Sequence, residues 1–251
     1  MERSTRAFQD HFSAHAATYA AYRPRYPLAL FHWLAVTAPR TELAWDAGTG
    51  NGQVATGLIT RFARVVATDA SPEQIANAEV HPRIDYRISE YQSGVADRAA
   101  QLVTVGQALH WFDMDAFWPE VQRVLQPGGV FAAFAYVHSR VSPGIDPIVR
   151  HHHDVTLGHY WPPEHHLIHD GYDSIALPID ELAPPPFEMR EEWTLQQYIG
   201  FLRSWSATQR CIAARGEGPI LYFERELAAA WGATPRRPVT WPMFVRAGEI
   251  R

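Results

Sequence analysis

The chain contains a single cysteine, Cys211, so no disulfide can form within it and a reducing compartment is its natural setting. It has no surplus of positive charge. Its 22 Lys and Arg stand against 27 Asp and Glu, a net charge of −5, which argues against nucleic acid as a partner, since backbone binding needs clustered cations. The first residues, MERSTRAFQDHF, hold no apolar signal core, and no stretch is long enough to span a bilayer. A cytoplasmic protein without membrane partners is expected. Internal repeats and disordered linkers are absent, and so are the H-E-x-x-H and Cys–His patterns of common metal sites. What remains is 251 residues, 47% hydrophobic and 20% charged, the composition of an ordinary globule that buries one core, here a single domain over 1–251. Nine Trp, ten Tyr and twelve Phe supply enough aromatic surface both to pack that core and to line a pocket.

The most informative stretch is LAWDAGTGNGQVA, residues 43–55. It reads as a short apolar strand ending in Asp46, a turn carrying Gly48, Gly50 and Gly52, and the start of a helix. Alternate glycines let the backbone turn sharply and keep side chains from between it and a ligand. The helix start offers unpaired N–H groups and a positive dipole end. That design serves nucleotide-like cofactors at the first strand-to-helix turn of an open α/β sheet. The dinucleotide fingerprint G-x-G-x-x-G/A fails here, because Gln53 stands at its closing position. The pattern present is D-x-G-x-G-x-G.

Strand and helix signals alternate along the chain. Phe8, Phe12 and Tyr19 predict an amphipathic helix over 6–20, broken by Pro24 and Pro27, and residues 28–37 predict a second. Arg23 in this region is either a solvated helix-flanking residue or a cation able to grip a carboxylate. QVATGLITRF is helical, and RVVATD (64–69) is a buried parallel strand ending in Asp69, about 20 residues past the glycines, where an acidic group bonds ribose hydroxyls. Ser71 and Pro72 supply the cap and first position of the next helix, leaving Asp69 free. IDYRIS (84–89) is a third strand with Ser89, Glu90 and Tyr91 at its C-terminal end, and QLVTVGQA (101–108) a fourth, followed by LHWFD. DMDAFWPEVQRVL predicts a helix with Pro119 inside it, QPGG a turn, and GVFAAFAYV a fifth strand. The alternation indicates a parallel sheet with right-handed crossovers. From 138 to 190 the chain turns rich in His and Pro, which reads as a cap insertion covering the sheet rather than extending it. EMREEWT then predicts a strand, LQQYIGFLRSWSATQ one helix, GPILYFERELAAAWG another, and PVTWPMFVRAGEI a closing strand.

YRPRYP, DAGTGNG, VVATDAS, GQALHWFD, RVLQPGG, FLRSWSA and TWPMFVRAGEI occur in that order over nearly the whole chain. Together they resemble the class I S-adenosylmethionine-dependent methyltransferases, in particular the small-molecule group that includes the trans-aconitate and cantharidin methyltransferases. The resemblance implies a Rossmann-like α/β fold: a seven-stranded, mostly parallel sheet with the last strand antiparallel, flanked by helices and bearing a helical and loop cap. It implies an N-terminal helical segment (1–40) over the cofactor site and S-adenosyl-L-methionine as cofactor. By motif, Asp46 and the backbone of Gly48, Thr49 and Gly50 would hold the methionine portion, with Arg23 facing its carboxylate. Asp69 would take the ribose hydroxyls, Ala70 would lie beside the adenine with Ser89 and Glu90, and Gly106 and Gln107 would line the cofactor.

The reaction expected is methyl transfer to a small molecule, at a carboxylate or hydroxyl oxygen. The protein's task would be to bring a nucleophile in line and exclude water. Trp111, Tyr19, Tyr22 and Trp205 are candidate pocket aromatics, or alternatively core. His110 is the titratable group nearest the rim of strand four. It is a candidate general base, or an orienting donor where the acceptor is a carboxylate. The eight histidines between His138 and His169 raise the question of a metal. Adjacent histidines diverge, however, and no metal ligand set is expected. Two other functions stay open: a cofactor-binding protein that senses a metabolite, and a nicotinamide-dependent oxidoreductase, which Gln53 disfavours.

Overall fold

The computed structural model describes residues 23–251. The helix expected over 6–20, with Tyr19 and Tyr22, lies outside the described residues. Eight strands are present: β1 (Leu43–Ala47), β2 (Arg64–Asp69), β3 (Ile84–Ile88), β4 (Ala100–Gly106), β5 (Leu125–Tyr136), β6 (Ile179–Glu181), β7 (Phe187–Trp193) and β8 (Arg237–Ile250). The helices of interest are α1 (Leu28–Thr37), α2 (Gln53–Leu58), α3 (Pro72–Ala76), α4 (Met114–Val124), α5 (Asp146–His151), α6 (His166–His169), α7 (Leu195–Arg203), α8 (Ser206–Arg215) and α9 (Gly218–Trp231).

The sheet order is β3-β2-β1-β4-β5-β8-β6, with β7 also paired to β8. β1 to β5 run parallel, and β8 runs antiparallel to β5 in the register Val130↔Glu249 to Tyr136↔Met243. The inner strands are apolar on both faces because helices cover both. On one face Leu30, Phe31, Leu34, Val54 and Leu58 of α1 and α2 meet Val65, Leu102 and Phe134. On the other, Phe117, Trp118 and Val121 of α4 meet Trp45, Val103 and Phe131. Fully buried side chains of this size each contribute about 1.5–3 kcal/mol by leaving water. A third cluster joins α7, α8 and α9 to the outer half of the β7–β8 pair through Trp193, Tyr198, Phe201, Trp231 and Trp241.

Four sequence expectations change. The sheet has eight strands rather than seven, because residues 179–193 form two strands on β8. Pro184, Pro185 and Pro186 lie between them, and proline offers no N–H to a ladder. The His- and Pro-rich segment therefore extends the sheet at its end as well as forming short helices over it. QPGG lies within β5 as a bulge, where pairing slips between Ala100 and Leu102 and Gly128 takes φ +74°. The single helix expected over 195–209 is two. Trp205 is extended at ψ 134°, and the carbonyls freed at the end of α7 are taken by side chains: Thr208 Oγ1 donates to Leu202 and Gln209 Nε2 to Arg203.

Candidate active site

Parallel strands in register present their C-terminal ends along one edge, which gathers Asp46, Asp69, Ser89, Gly106 and Tyr136 there. In such sheets ligands bind outside this edge, where the strand order reverses between β1 and β4. The turn after β1 holds its shape through backbone bonds: Thr49 N–H donates to Thr68 O at 2.9 Å and Gly52 N–H to Thr49 O at 3.0 Å. Gly48 sits at φ +66°, and a Cβ there would fall 2.7 Å from Ala108 Cβ and 3.0 Å from the Phe112 ring. Only glycine lets the turn approach the segment after β4 so closely.

Asp46 is fully buried. Its Oδ2 accepts from Thr49 Oγ1 at 2.5 Å and its Oδ1 from Thr104 Oγ1 at 2.8 Å. Burial drives its pKa up to about 7, while the two hydroxyls hold it down and the nearby Asp69 charge pushes it further up. Asp69 ends β2, with Oδ2 accepting from Gly50 N–H at 2.8 Å and Oδ1 from Ser71 N–H at 2.9 Å. The carboxylate expected to be free thus braces the glycine turn with one oxygen and the start of α3 with the other. Ser71 caps α3 as expected, accepting from Gln74 N–H at 3.2 Å.

Gln74 is buried, and its Oε1 has no hydrogen-bond partner among the described residues. A Cβ added to Gly50 would lie 3.8 Å from that oxygen. A buried acceptor without a donor costs about 1–3 kcal/mol. Beside a side-chain-free turn, it fits a ligand carrying hydroxyl or amine donors. The residues present therefore suit a nucleoside with an amino-acid tail.

Ala70, Ser89, Glu90, Gly106 and Gln107 fall at the same strand ends. Ala70 is half-buried after Asp69, while Glu90 is exposed and Ser89 Oγ accepts from Gln92 N–H at 3.0 Å. Tyr91 packs on Phe112 with ring centres 5.8 Å apart. A Cβ at Gly106 would meet Val54 at 2.6 Å. Gln107, at φ +56°, is locked to β5: its Nε2 donates to Tyr136 O and its Oε1 accepts from Tyr136 N–H. Arg23 Nη1 donates to the Tyr136 hydroxyl at 2.5 Å. Trp205 is buried between α7 and α8, 5.6 Å from Trp161.

His110 is buried beside Trp111, ring centres 4.6 Å apart, and its Nδ1 lies 3.1 Å from the Tyr172 hydroxyl. Burial lowers its pKa to about 3. Of the two roles expected of His110, burial opposes the general base, since a base works best with a pKa near the working pH. Burial raises the phenol's pKa, so Tyr172 keeps its proton. With the phenol donating to Nδ1, the neutral imidazole carries its proton on Nε2 and presents a donor there. A cavity of about 380 Å³ is lined by His138, Arg140, Asp146, Arg150, Met243 and Phe244, and Phe244 packs on Tyr172 with ring centres 5.0 Å apart.

Sequence reasoning missed Thr104, Gln74, Tyr136 and Tyr172. Thr104 had a signal, as the one hydroxyl in an otherwise apolar run after Gln101. The other three are brought in by packing alone.

Comparison with known proteins agrees with this geometry. Residues 45–133 match the family model described as a methyltransferase domain. A solved structure of a putative type II methyltransferase from Anaeromyxobacter dehalogenans is 40% identical, with 91% of this chain and 98% of that one covered and a TM-score of 0.85. A putative methyltransferase of Dictyostelium discoideum is 28% identical over 90% of this chain and 88% of its own length. An uncharacterized methyltransferase of Mycobacterium tuberculosis is 35% identical over 47% of this chain and 49% of its own. With the sheet order, the glycine turn and the paired carboxylates at the strand ends, these likenesses place the chain in the class I methyltransferases, with S-adenosylmethionine as cofactor.

Proposed function

We propose that this chain methylates a small molecule at an oxygen, and that a carboxylate is the better-suited acceptor. In this reading Asp46, Gly48, Thr49 and Gly50 hold the methionine portion of the cofactor and Arg23 faces its carboxylate. Asp69 takes ribose hydroxyls, Ala70, Ser89 and Glu90 lie on the adenine side, and Gly106 and Gln107 line the groove. When bound, the sulfonium supplies an electrophilic methyl group. The chain's own residues orient the acceptor and keep water away.

The observation that carries the acceptor class is the state of His110. A neutral imidazole with Nδ1 engaged by Tyr172 is a poor base but a good donor. A carboxylate needs no base and profits from a donor, whereas a hydroxyl must lose a proton. Arg140 and Arg150, which line the cavity beside His138, add two cations suited to an anionic molecule. Trp111 and Trp205 supply aromatic walls, and Tyr19 and Tyr22 lie outside the described residues. A small carboxylate accords with the trans-aconitate and cantharidin group that the motifs resemble, and a buried lone cysteine accords with the cytoplasm.

The test is an acceptor screen with methyl-labelled cofactor over small mono-, di- and tricarboxylates, alcohols and phenols, run on the unaltered chain and on His110→Ala and His110→Asn. Label in an ester, with turnover lowered in both variants, is the expected result. Transfer only to hydroxyl acceptors would overturn the carboxylate reading. Tight binding of S-adenosylhomocysteine with transfer to nothing in the panel would favour a cofactor-binding sensor.

A further inference from the structure

Four imidazoles from three segments converge beside the cavity that His138 lines. His138 follows β5, and His153 lies in the π-helical turn of residues 152–156 that continues α5. His165 precedes α6, and His169 ends it. Ring centres are 4.7 Å apart for His138–His153, 5.3 Å for His138–His169 and 5.2 Å for His153–His169. One ring nitrogen from each of His138, His153 and His169 can be chosen so that all lie within 4.8 Å of one another. We propose that these three residues hold a divalent first-row transition-metal ion of the kind imidazole favours, such as zinc.

Three features support the assignment. First, among the described residues no hydrogen bond joins the three rings to one another, so their gathering is not explained by mutual pairing. Second, His153 Nδ1 lies 2.7 Å from Asp154 Oδ1. A carboxylate there accepts a hydrogen bond from Nδ1–H, which leaves the Nε2 lone pair for a metal and makes it more basic, the usual outer bond of a metal-bound histidine. Third, His153 is buried and His138 half-buried, which holds two of the three rings in place before an ion arrives.

The separation is slightly wide. Zinc–nitrogen bonds of 2.0–2.1 Å in a tetrahedron put nitrogens about 3.4 Å apart. Small side-chain rotations close that gap, and the exposed His169 is the ring with room to move. His165 is stacked on Trp161 at 3.9 Å, which fixes its plane beside the triad. The π-helical turn has a physical reason in this scheme, since an extra residue per turn brings His153 to the triad while His152 stacks on Phe223. The divergence of consecutive histidines is the reason that no metal ligand set is expected from the sequence. The histidines do diverge, and each of the three ligands comes from a different segment.

The test uses untagged, full-length chain stripped with chelator, then titrated calorimetrically with Zn²⁺ and followed by the visible absorption of Co²⁺. One ion per chain is expected. His153→Ala and His169→Ala should each weaken binding more than the roughly tenfold to hundredfold loss expected of Asp154→Asn, whose carboxylate acts through His153. His151→Ala and His166→Ala, both exposed and outside the cluster, should leave it unchanged. Should His153→Ala fail to fold by circular dichroism, the exposed His169→Ala decides. No uptake by the unaltered chain, uptake indifferent to the triad substitutions, or equal loss in the two control variants would overturn the proposal.

Discussion

Replacing Asp46 with Asn tests the electrostatics of the strand edge most directly. The carboxyl is fully buried, and burial lifts its pKa from 3.8 to about 7 despite donors from Thr49 and Thr104. Between roughly pH 4 and 7 the folded chain holds a proton that the unfolded chain has lost. Its contribution to stability is therefore present below about pH 4, declines as pH rises through that window, and is a full penalty above about pH 7. The gap corresponds to about 4 kcal/mol. Asparagine keeps the shape and carries no charge. Asp46→Asn should thus match the unaltered chain at about pH 4 and exceed it by a few kcal/mol at about pH 8, in urea denaturation without ligand. A bound ammonium group would reverse the balance by favouring the ionised carboxyl. Calorimetry with S-adenosylhomocysteine near pH 6, in buffers of different ionisation enthalpy, should then show up to about one proton released, and none from Asp46→Asn. Parallel pH–stability curves for the two proteins, or a variant weaker than the parent at about pH 8, would refute the reasoning.

Other consequences are simpler. Tyr172→Phe strips the partner from the buried Nδ1 of His110 and should destabilise the fold by about 1–3 kcal/mol, read from urea midpoints. Because His110 stays neutral to about pH 3, turnover on a confirmed acceptor should show no limb assignable to it near neutrality, and a limb near pH 6.5 abolished in His110→Asn would contradict this. Although burial pushes Glu120 up, bonds from Arg123 and Ser93 hold it at about 2. The stability it contributes is present above about pH 4.5 and fades toward pH 2, so Glu120→Gln should cost about 2 kcal/mol at neutral pH, allowing for the partly exposed Arg123, and progressively less in acid. Gly57→Ala would drive a Cβ to within 1.9 Å of the Phe31 ring. It should lower stability by about 1–3 kcal/mol or more by prising α1 from α2, measurable as a fall in Tm with unchanged secondary structure.

Much of the architecture is legible in the residue string, for local reasons. Apolar runs such as RVVATD and QLVTVG can only be doubly covered strands, and β2 occupies the expected residues 64–69. The Ser71 cap and the Asp113 start of α4 are set by side-chain hydrogen bonds within a few residues, and the glycine turn shows in its glycines. For the same reason the strand-end carboxylates Asp46 and Asp69 could be picked out at once. Tertiary structure alone decided what those groups touch. It buried Asp46 under Thr104, which is 58 residues away, turned Asp69 into a brace for the turn, and closed Tyr172 against the buried ring of His110. It also drew histidines of three segments into one cluster and divided the terminal edge into β6 and β7. Periodicity reports which face a residue occupies, whereas burial, protonation and ligand geometry depend on partners that packing brings from far along the chain.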